Sequence, residues 1–399
     1  RQIYHRDIKP SNILYLNDPS CVHSLKWITY FSNQKENYTC HIIGQQLQDK
    51  ILTQTNLDKL KTNNIIYLPP VADFSVTKFP RTIKEFKRLK QVIKEHKIDL
   101  VHVMFAEPNA LWALGKKYFN IPMVLTTRGT DVLVTIPQLI EKKHPFNKLL
   151  SILFRKAFSN FDYISSTSLK QQKSVLKILG NNNVPNGVLR TGVYMDKILT
   201  ENDTTFVDAL RNKKYLFFPR YMNTLYNHDF SLDAIQLLPP NIKKEYTMVF
   251  IDANGRAVGY IGDIKKRMSN MKDVNFLFLE EIPQATIFEL TRNASIVIMN
   301  PKSDGTPVSA IESMAVETPV ILGPLDYDQD IFNQDTIWRL NEWSASELTD
   351  TIVEILEKTP SEVIEKKLLN AKATVLEKAD TMKEVQKIEK IYHQLVNES

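Results

Sequence analysis

The sequence Asn300-Pro301-Lys302-Ser303-Asp304-Gly305-Thr306-Pro307 joins a short apolar run, residues 295–299, to a helical pattern that begins near Val308. A strand, a loop and a helix in this order form the repeating unit of α/β sheets. Gly305 permits a sharp turn and a close approach of the backbone to a ligand, and the amides at a helix start bind anions. We therefore predict a diphosphate site formed by Gly305, Thr306, Pro307, Val308 and Ser309.

The same alternation of short apolar runs and helical patterns extends along the chain on both sides of this loop, and it predicts parallel sheets with crossover helices. The predicted strands are residues 13–16, 39–43, 65–68, 100–103, 123–126, 163–165, 215–218, 246–251, 275–279, 295–299 and 318–322. The predicted helices are residues 24–32, 82–96, 109–118, 147–158, 169–179, 231–237, 259–268, 287–291 and 308–315. The fold class is therefore α/β.

The chain of 399 residues is long enough for two domains. Residues 199–212 are polar and charged without a strong period, and we interpret them as a linker between two Rossmann-like domains, residues 12–198 and 213–375. Residues 376–399 form a final helix that we expect to cross back to the first domain. Ligands of such sheets bind outside the carboxyl ends of the strands, so we expect a cleft between the two domains.

The composition is that of an ordinary globular protein, with 43% hydrophobic and 24% charged residues. The two cysteines, Cys21 and Cys40, provide neither a disulfide framework nor a metal-ligand cluster, which fits a reducing cytoplasm. The sequence has no apolar run near the roughly 18 to 20 residues that span a bilayer. A net charge of +6 favours anionic partners such as nucleotides, sugar phosphates or an acidic membrane surface.

Another motif, His5-Arg6-Asp7-Ile8-Lys9-Pro10-Ser11-Asn12, resembles the catalytic loop of protein kinases. A kinase also requires a Gly-rich loop, a strand lysine and its glutamate partner before this loop. The triplet Asp73-Phe74-Ser75 lies too far downstream to supply the second metal ligand. We therefore disfavour a kinase and interpret residues 1–11 as a non-native leader.

The loop at Asp304 begins a longer pattern: Asp304-Gly305-Thr306-Pro307, then Glu312-Ser313-Met314-Ala315, then Thr318-Pro319-Val320-Ile321. This pattern resembles the donor-site signature of family-4 retaining glycosyltransferases with the GT-B fold. The resemblance implies that Asp304 contacts the transferred sugar, that Glu312 binds the ribose, and that the amides between them hold the diphosphate. Asp304 stands where glutamate is commoner, as in many members that act on bacterial surface glycans, and Glu317 stands where glycine is usual. The alternative is an ordinary amphipathic helix on which Glu312 is solvated.

Arg220 ends the apolar run Tyr215-Leu216-Phe217-Phe218-Pro219 and resembles the family's arginine that clamps the diphosphate. A planar guanidinium suits two phosphate oxygens; the alternative is a surface arginine that ends a strand. The lysine that usually follows is absent, and Tyr226-Asn227-His228 occupies its region, so Asn227 or His228 is expected to assist Arg220. The loop Glu281-Ile282-Pro283 corresponds to the segment that reads the nucleotide base in this fold, which assigns Ile282 to the donor site.

The loop Thr127-Arg128-Gly129-Thr130-Asp131 resembles the family's Gly-Thr-Asp loop that faces the cleft. The resemblance implies that Asp131 contacts acceptor or sugar hydroxyls, whereas the alternative is an aspartate that caps the next segment. Arg128 stands where histidine is common, and we assign it to the acceptor side. His23 resembles the histidine that orients an acceptor hydroxyl near a helix start, although histidines in that position also serve structural roles.

These features predict a retaining glycosyltransferase that uses a nucleoside diphosphate sugar, with Arg220, Asp304 and Asp131 as catalytic residues. The acceptor is expected to be a glycan or a polyprenyl-linked glycan in bacterial surface polysaccharide synthesis. Neither a metal nor another cofactor is expected, and nucleic acid is not expected as a partner. The alternative functions are a non-catalytic sugar-nucleotide-binding subunit and a sugar-nucleotide epimerase.

A basic and amphipathic stretch, Lys142-Lys143-His144 with residues 146–158, has two interpretations. It forms a peripheral contact with an anionic membrane, which would place the protein at the inner face of the cytoplasmic membrane. Alternatively, it is an amphipathic helix that packs on its own sheet.

Overall fold

The computed structural model describes residues 11–45, 52–75, 77–141, 145–201, 210–252, 258–280 and 282–398. The chain divides into two compact units. The first unit contains the residues up to Thr191 together with Met382–Ser399, and the second contains Gly192–Thr381. Within the described ranges, no helix is long and apolar enough to cross a membrane.

The first unit is built on a parallel sheet that has seven strands in the described part of the chain. They are β1 (Ser11–Leu16), β2 (Tyr38–Gln45), β3 (Ile65–Val71), β4 (Leu100–Met104), β5 (Met123–Thr126), β6 (Tyr163–Ser166) and β7 (Asn186–Val188). Their order is β3-β2-β1-β4-β5-β6-β7, so the direction in which the strands are added reverses between β1 and β4. Ligands of doubly wound sheets bind at such a reversal, outside the carboxyl ends of the strands.

The second unit contains a parallel sheet of six strands among its described residues. They are β8 (Lys214–Phe218), β9 (Tyr246–Asp252), β10 (Asn275–Glu280), β11 (Ile296–Met299), β12 (Val320–Leu322) and β13 (Trp338–Arg339). The order is β10-β9-β8-β11-β12-β13, and β8 and β11 are hydrogen-bonded neighbours in its middle. The two Rossmann-like sheets confirm the predicted α/β class.

Helices connect the strands and cover the sheets. In chain order the α-helices are α1 (Val22–Ser32), α2 (Gln54–Thr62), α3 (Phe79–Glu95), α4 (Lys116–Phe119), α5 (Ile136–Glu141), α6 (Pro145–Ser159), α7 (Leu169–Leu179), α8 (Met195–Thr200), α9 (His228–Leu237), α10 (Pro240–Glu245), α11 (Val258–Asn270), α12 (Gln284–Asn293), α13 (Val308–Ala315), α14 (Ala345–Val353), α15 (Ser361–Lys378) and α16 (Thr381–Asn397). Shorter helical turns occupy Asn109–Gly115, Asp131–Thr135, Thr224–Tyr226 and Glu354–Lys358.

Successive side chains of β1 enter two different cores, as the alternation of a strand requires. Leu14 and Leu16 join a core to which α3 and α6 also contribute. Ile13 and Tyr15 join a second core to which α1 and α16 contribute. The helices of the first unit therefore form one layer on each face of its sheet.

The last helix, α16, packs on the first unit through polar as well as apolar contacts. The hydroxyl of its Tyr392 contacts Nδ1 of His102, a fully buried residue of β4, whose Nε2 lies 2.7 Å from Thr126 Oγ1. Glu389 accepts hydrogen bonds of 2.8 Å from the hydroxyls of Tyr30 and Tyr38. These contacts attach the end of the described chain to the centre of the first sheet.

Several element boundaries differ from the prediction. The strands β7 and β13 and the helix α2 were not predicted because they are short or carry few apolar residues. The predicted helix 109–118 is a 3-10 turn followed by the four-residue α4. The two units part after Thr191 rather than at 198, since Met195 and Ile198 are buried in the second unit. Of the predicted leader and linker, residues 1–10 and 202–209 lie outside the described residues.

Candidate functional site

Arg220 and Asp304 lie beyond the carboxyl ends of two adjacent parallel strands. Arg220 follows β8 by two residues, and Asp304 follows β11 in the loop that leads to α13. Nη2 of Arg220 lies 2.9 Å from Oδ2 of Asp304, and their side chains are 20% and 16% exposed. The structure therefore brings together two residues that are 84 positions apart and were predicted separately.

The carboxylate of Asp304 is also bound by its own loop. Its Oδ1 accepts a 2.8 Å hydrogen bond from the backbone amide of Gly305. Burial raises the pKa of this carboxyl group, while Arg220 and the amides of Gly305 and Thr306 oppose the rise. The amide of Gly305, which was predicted to hold a phosphate, therefore donates to Asp304 in this structure, and its role toward a phosphate stays a prediction.

The start of α13 retains free amides. Pro307 precedes the helix without a side-chain cap and has no N–H of its own. In the part of the chain that the structure describes, the amides of Val308 and Ser309 have no hydrogen-bond acceptor. The first turn of a helix carries partial positive charge, so this end of the loop remains suited to an anion.

Of the two roles predicted for Gly305, a sharp turn and a close approach of the backbone to a ligand, the structure does not require glycine for the first. Its φ lies outside the left-handed region, so the turn does not require glycine. A Cβ placed on Gly305 would meet no atom within 4 Å. The missing side chain therefore leaves open space above the loop, next to Asp304.

Glu312 is buried, with 6% of its surface exposed on the second turn of α13. The alternative of a solvated Glu312 is therefore wrong. A carboxylate at this position can accept hydrogen bonds from the two hydroxyl groups of a ribose. Its role as the ribose ligand stays a prediction.

The side chain of Arg220 is positioned by an aromatic ring. Its guanidinium carbon lies 4.4 Å from the ring centroid of Tyr226, a distance at which the cation interacts with the ring face. Its Nε is buried and has no hydrogen-bond partner. Asn227 adopts a left-handed conformation, with φ of 55°, and initiates α9. The region where the family lysine is expected thus fixes the orientation of Arg220.

His228 is held by contacts within its own unit, and its predicted assistance to Arg220 stays a prediction. It is 2% exposed, and its Nε2 lies 3.0 Å from the carbonyl oxygen of Tyr221. Burial lowers its pKa to about 4, so the ring is neutral at pH 7. Its backbone amide donates to the hydroxyl of Tyr260 over 3.1 Å. A neutral ring contributes no positive charge to the site, so any assistance to Arg220 would come through hydrogen bonding.

Three polar groups near the loop lack hydrogen-bond partners, and two of them, in Tyr327 and Asn300, belong to residues that were not predicted for the site. The hydroxyl of Tyr327 and Oγ1 of Thr306 are buried without a hydrogen-bond partner, and so is Oδ1 of Asn300. Burial and the neighbouring Asp304 raise the pKa of Tyr327. The amide of Asp328 donates to the carbonyl of Gly305 over 3.0 Å, which joins the two loops. A tyrosine beyond β12 has no sequence signal, because only folding brings it to Asp304.

Two residues discussed in the sequence analysis are Ile282, assigned to the donor site, and Glu317, which stands where glycine is usual. Ile282 is partly buried and packs against the core of the second unit, while residue 281 lies outside the described residues. Glu317 adopts a left-handed φ of 57°, a conformation that favours the glycine usual there. Its Oε1 forms a 2.5 Å ion pair with Nζ of Lys372.

In the first unit, Asp131 is an internal anchor. It is fully buried, and its carboxylate accepts hydrogen bonds from the backbone amides of Ala106, Arg128, Gly129 and Val132. This geometry favours the capping alternative over the catalytic contact, because the amides already occupy both oxygens. The loop after β5 is therefore built around Asp131 rather than presenting it to a ligand.

Arg128 is held by hydroxyl groups. Its Nη1 donates to Thr191 Oγ1 over 3.2 Å, and its Nη2 donates to Ser24 Oγ over 3.3 Å. Burial lowers the pKa of the guanidinium, although the arginine remains charged. The backbone of His23 lies in α1, but its side chain is outside the described residues.

Two other features bear on ligands. A cavity of about 940 Å³ lies beside β13, and its walls include Asp335, Arg339 and Glu347 but no predicted site residue. In the described ranges, no group of three or more His, Cys, Asp or Glu side chains is placed to hold a metal ion. Independence from metal stays a prediction.

Two family descriptions match the chain, one in each half. Residues 12–168 match the family described as "Glycosyl transferase 4-like". Residues 202–367 match "Glycosyl transferases group 1", which includes Arg220, Asp304 and Glu312. No curated protein matches the sequence.

Solved structures share the fold over nearly the whole chain. A glycosyltransferase from Rickettsia africae is 18% identical with a TM-score of 0.77, covering 98% of this chain and 100% of that one. Anabaena HepE, in complex with UDP, is 14% identical with a TM-score of 0.72, covering 97% and 100%. Sucrose-phosphate synthase from Thermosynechococcus elongatus is 13% identical with a TM-score of 0.69, covering 98% and 100%. At these identities the likeness establishes the fold.

Proposed function

The chain belongs to the family-4 glycosyltransferases of the GT-B fold, and we propose that it transfers a sugar from a nucleoside diphosphate sugar with retention at the anomeric carbon. The acceptor is a glycan or a polyprenyl-linked glycan, and the reaction serves the synthesis of a bacterial surface polysaccharide. The 2.9 Å pair of Arg220 and Asp304 beside the uncapped start of α13 carries the proposal.

The free amides of Val308 and Ser309 and the guanidinium of Arg220 offer positive charge at one end of a loop. A nucleoside diphosphate carries the complementary charge, and its phosphates would draw Arg220 from Asp304. The carboxylate of Asp304 would then accept hydrogen bonds from the sugar. The related structure of HepE was obtained with UDP and with UDP-glucose, which supports a nucleotide-sugar donor.

In the proposed reaction the bond between the anomeric carbon and the leaving phosphate oxygen breaks. The acceptor hydroxyl forms its bond to that carbon on the same face, and its proton passes to the leaving phosphate oxygen. The protein contributes positioning and electrostatic stabilisation of the departing diphosphate. Arg220 supplies a full charge at the place where negative charge develops.

The first experiment identifies the donor. Uridine-, guanosine- and thymidine-linked sugars are compared by thermal stabilisation of the full chain, because a ligand that binds the folded state raises the unfolding temperature. The stabilising donor is then incubated with candidate acceptors, and the anomeric configuration of the product is read by NMR. An inverted product would exclude the retaining mechanism, and failure of every donor to bind would contradict the proposed function.

The same assay distinguishes the transferase from a non-catalytic sugar-nucleotide-binding subunit. The absence of the usual lysine favours that alternative. A binding subunit would be stabilised by the donor but would neither transfer the sugar nor hydrolyse the donor slowly in the absence of acceptor. Release of free sugar that depends on Arg220 would argue for the enzyme. Formation of an epimer without acceptor would instead identify an epimerase.

A further inference from the structure

The positive charge of the protein is concentrated around α3. Residues 78–97, which include this helix, carry eight lysines and arginines against two glutamates. Their net charge of +6 equals the formal net charge of the whole chain, so the remainder has no net charge. A charge concentrated in one element acts locally on a partner rather than through the general field of the protein.

Most of this charge is exposed and is not neutralised locally. Lys84, Lys87 and Lys94 lie on the outer side of α3, at spacings that place them along one stripe. Among the described residues, no carboxylate lies within ion-pair distance of any of the three. The opposite side of the helix is buried through Leu89 and Ile93. The stripe therefore faces solvent as an unpaired row of cations.

Apolar side chains accompany these cations. Phe79 is 59% exposed and Ile83 is 40% exposed, one turn apart in the first half of α3. Tyr118 in α4 is 45% exposed, and Nζ of Lys90 lies 3.9 Å from the centroid of its ring. A cluster of large apolar side chains exposed to water is typical of a surface that binds another protein or a membrane.

A second exposed stripe lies on α6. Phe146, Leu149 and Ile152 are 39%, 44% and 58% exposed, and their spacing of three residues places them along the outer side of the helix. The helix contains Lys148, Arg155 and Lys156 but no acidic residue. Its inner side is buried through Phe154 and Phe158.

The two helices cover the same face of the first sheet. Leu89 and Ile93 of α3 and Phe154 and Phe158 of α6 belong to one core cluster. Between them, α4 contacts α3, and the turn Asn109–Gly115 contacts α6. Together α3, α4 and α6 form one helical layer, here called the α3–α6 layer, whose outer surface carries both the cations and the apolar stripe.

We infer that the outer surface of the α3–α6 layer docks on an anionic lipid bilayer. The lysines contact lipid phosphates, and the apolar side chains of both helices enter the boundary between headgroups and acyl chains. The aliphatic stems of the lysines support this arrangement, since they lie along apolar groups while the ammonium groups stay at the phosphates. A purely acidic partner would match the cations but not the apolar stripe of α6. The assignment extends the membrane contact predicted from residues 142–158 to a second helix, and it is independent of the donor site.

The test uses the full chain and vesicles made of phosphatidylcholine alone or mixed with phosphatidylglycerol. Co-sedimentation is expected with the mixed vesicles only, and higher salt should weaken it because salt screens surface charge. The variant K84E/K87E/K94E is expected to lower the partition coefficient by at least about tenfold. The variant L149S/I152S is expected to lower the partition coefficient without changing the net charge. The single variant Ile152→Ser is expected to lower it by less.

Matched controls come from exposed residues of the second unit. The variant K213E/K244E/K266E changes the net charge by the same amount, and V363S/L369S removes two exposed apolar side chains from α15. Both are expected to bind vesicles like the unaltered protein, and thermal unfolding verifies that every variant is folded. Equal binding to neutral and anionic vesicles, or an equal loss in the controls, would overturn the inference. So would binding to polyglutamate without binding to vesicles. Donor-induced stabilisation is measured separately, so failure of docking leaves the proposed reaction untouched.

Discussion

Nη2 of Arg220 lies 2.9 Å from Oδ2 of Asp304, so the two charges neutralise each other across the ends of β8 and β11. Each side chain is thereby held in place without a ligand, and the ring of Tyr226, 4.4 Å from the guanidinium carbon, also contacts Arg220. When a donor binds, Arg220 would exchange the carboxylate of Asp304 for the two phosphates of the donor. The ion pair prepares both side chains for that exchange.

Opposite effects on nucleotide affinity are expected from the two members of this pair. Asp304→Asn removes the competitor for the guanidinium, so the free nucleoside diphosphate should bind at least as well, while transfer falls by about 10²–10³-fold. Arg220→Gln should weaken both nucleotide binding and transfer. Thermal stabilisation by the diphosphate and initial transfer rates provide the two readouts. Unchanged transfer in both variants would remove the pair from the catalytic site.

Gly305 provides a test of the space above the loop. Gly305→Ala should alter the unfolding free energy by less than about 0.5 kcal/mol, since its Cβ meets no protein atom. It should weaken donor binding, because the methyl group occupies the open space next to Asp304. Urea unfolding and donor titration measure the two effects.

Gly192→Ala is the matched control. Gly192 has a φ of 59°, and a Cβ there would lie 2.2 Å from the carbonyl oxygen of Ala379. This variant should lose about 1–3 kcal/mol of stability. If instead Gly305→Ala were the destabilised protein, the loop would have a structural rather than a ligand-binding role.

Asp131 should affect folding more than chemistry. Asp131→Ala removes the acceptor of four backbone amides, three of them in fully buried hydrogen bonds, so the unfolding free energy should fall by about 3 kcal/mol or more. Asp131→Asn should lose less, since one oxygen remains to accept. Urea unfolding followed by circular dichroism measures the loss. If either Asp131 variant had normal stability but no longer transferred sugar, the result would support the catalytic role predicted from the sequence.

The stability of the first unit should depend on pH through His102. Burial lowers its pKa to about 3, below the unfolded value of about 6.5. The unfolded chain therefore binds the proton first, and stability falls as the pH decreases below about 6.5. Between pH 7 and pH 5 the loss from this residue is about 2 kcal/mol. His102→Gln should flatten that slope in urea unfolding measured at several pH values, and an unchanged slope would contradict a neutral buried ring.

The sequence predicts the sheets well because their strands are continuous apolar runs. Leu100–Met104 is buried at every position, and such a run has no other stable location in a globular protein. The strands β7 and β13 were not predicted because they are edge strands of three and two residues. Such strands are defined by hydrogen bonding to the neighbouring strand rather than by their composition. The boundary after Thr191 depends on which core buries Met195, and that information is not local.

The candidate site is predictable in part for a similar reason. Local patterns identify the loop at Gly305 and the arginine after β8, but the contact between Arg220 and Asp304 arises only when β8 pairs with β11. Asp131 carries the same local pattern whether it faces a ligand or anchors its own loop. Only the burial of its carboxylate distinguishes the two roles.

The attachment of α16 to the first sheet has a consequence for biosynthesis. The ribosome completes the entire second unit before it releases the helix that contributes Tyr392 and Glu389 to the first. Until then His102 and Tyr38 lack their partners, and the apolar side chains of β1 that α16 covers remain open to water. The first unit therefore acquires its last helix only after the whole second unit has been synthesised.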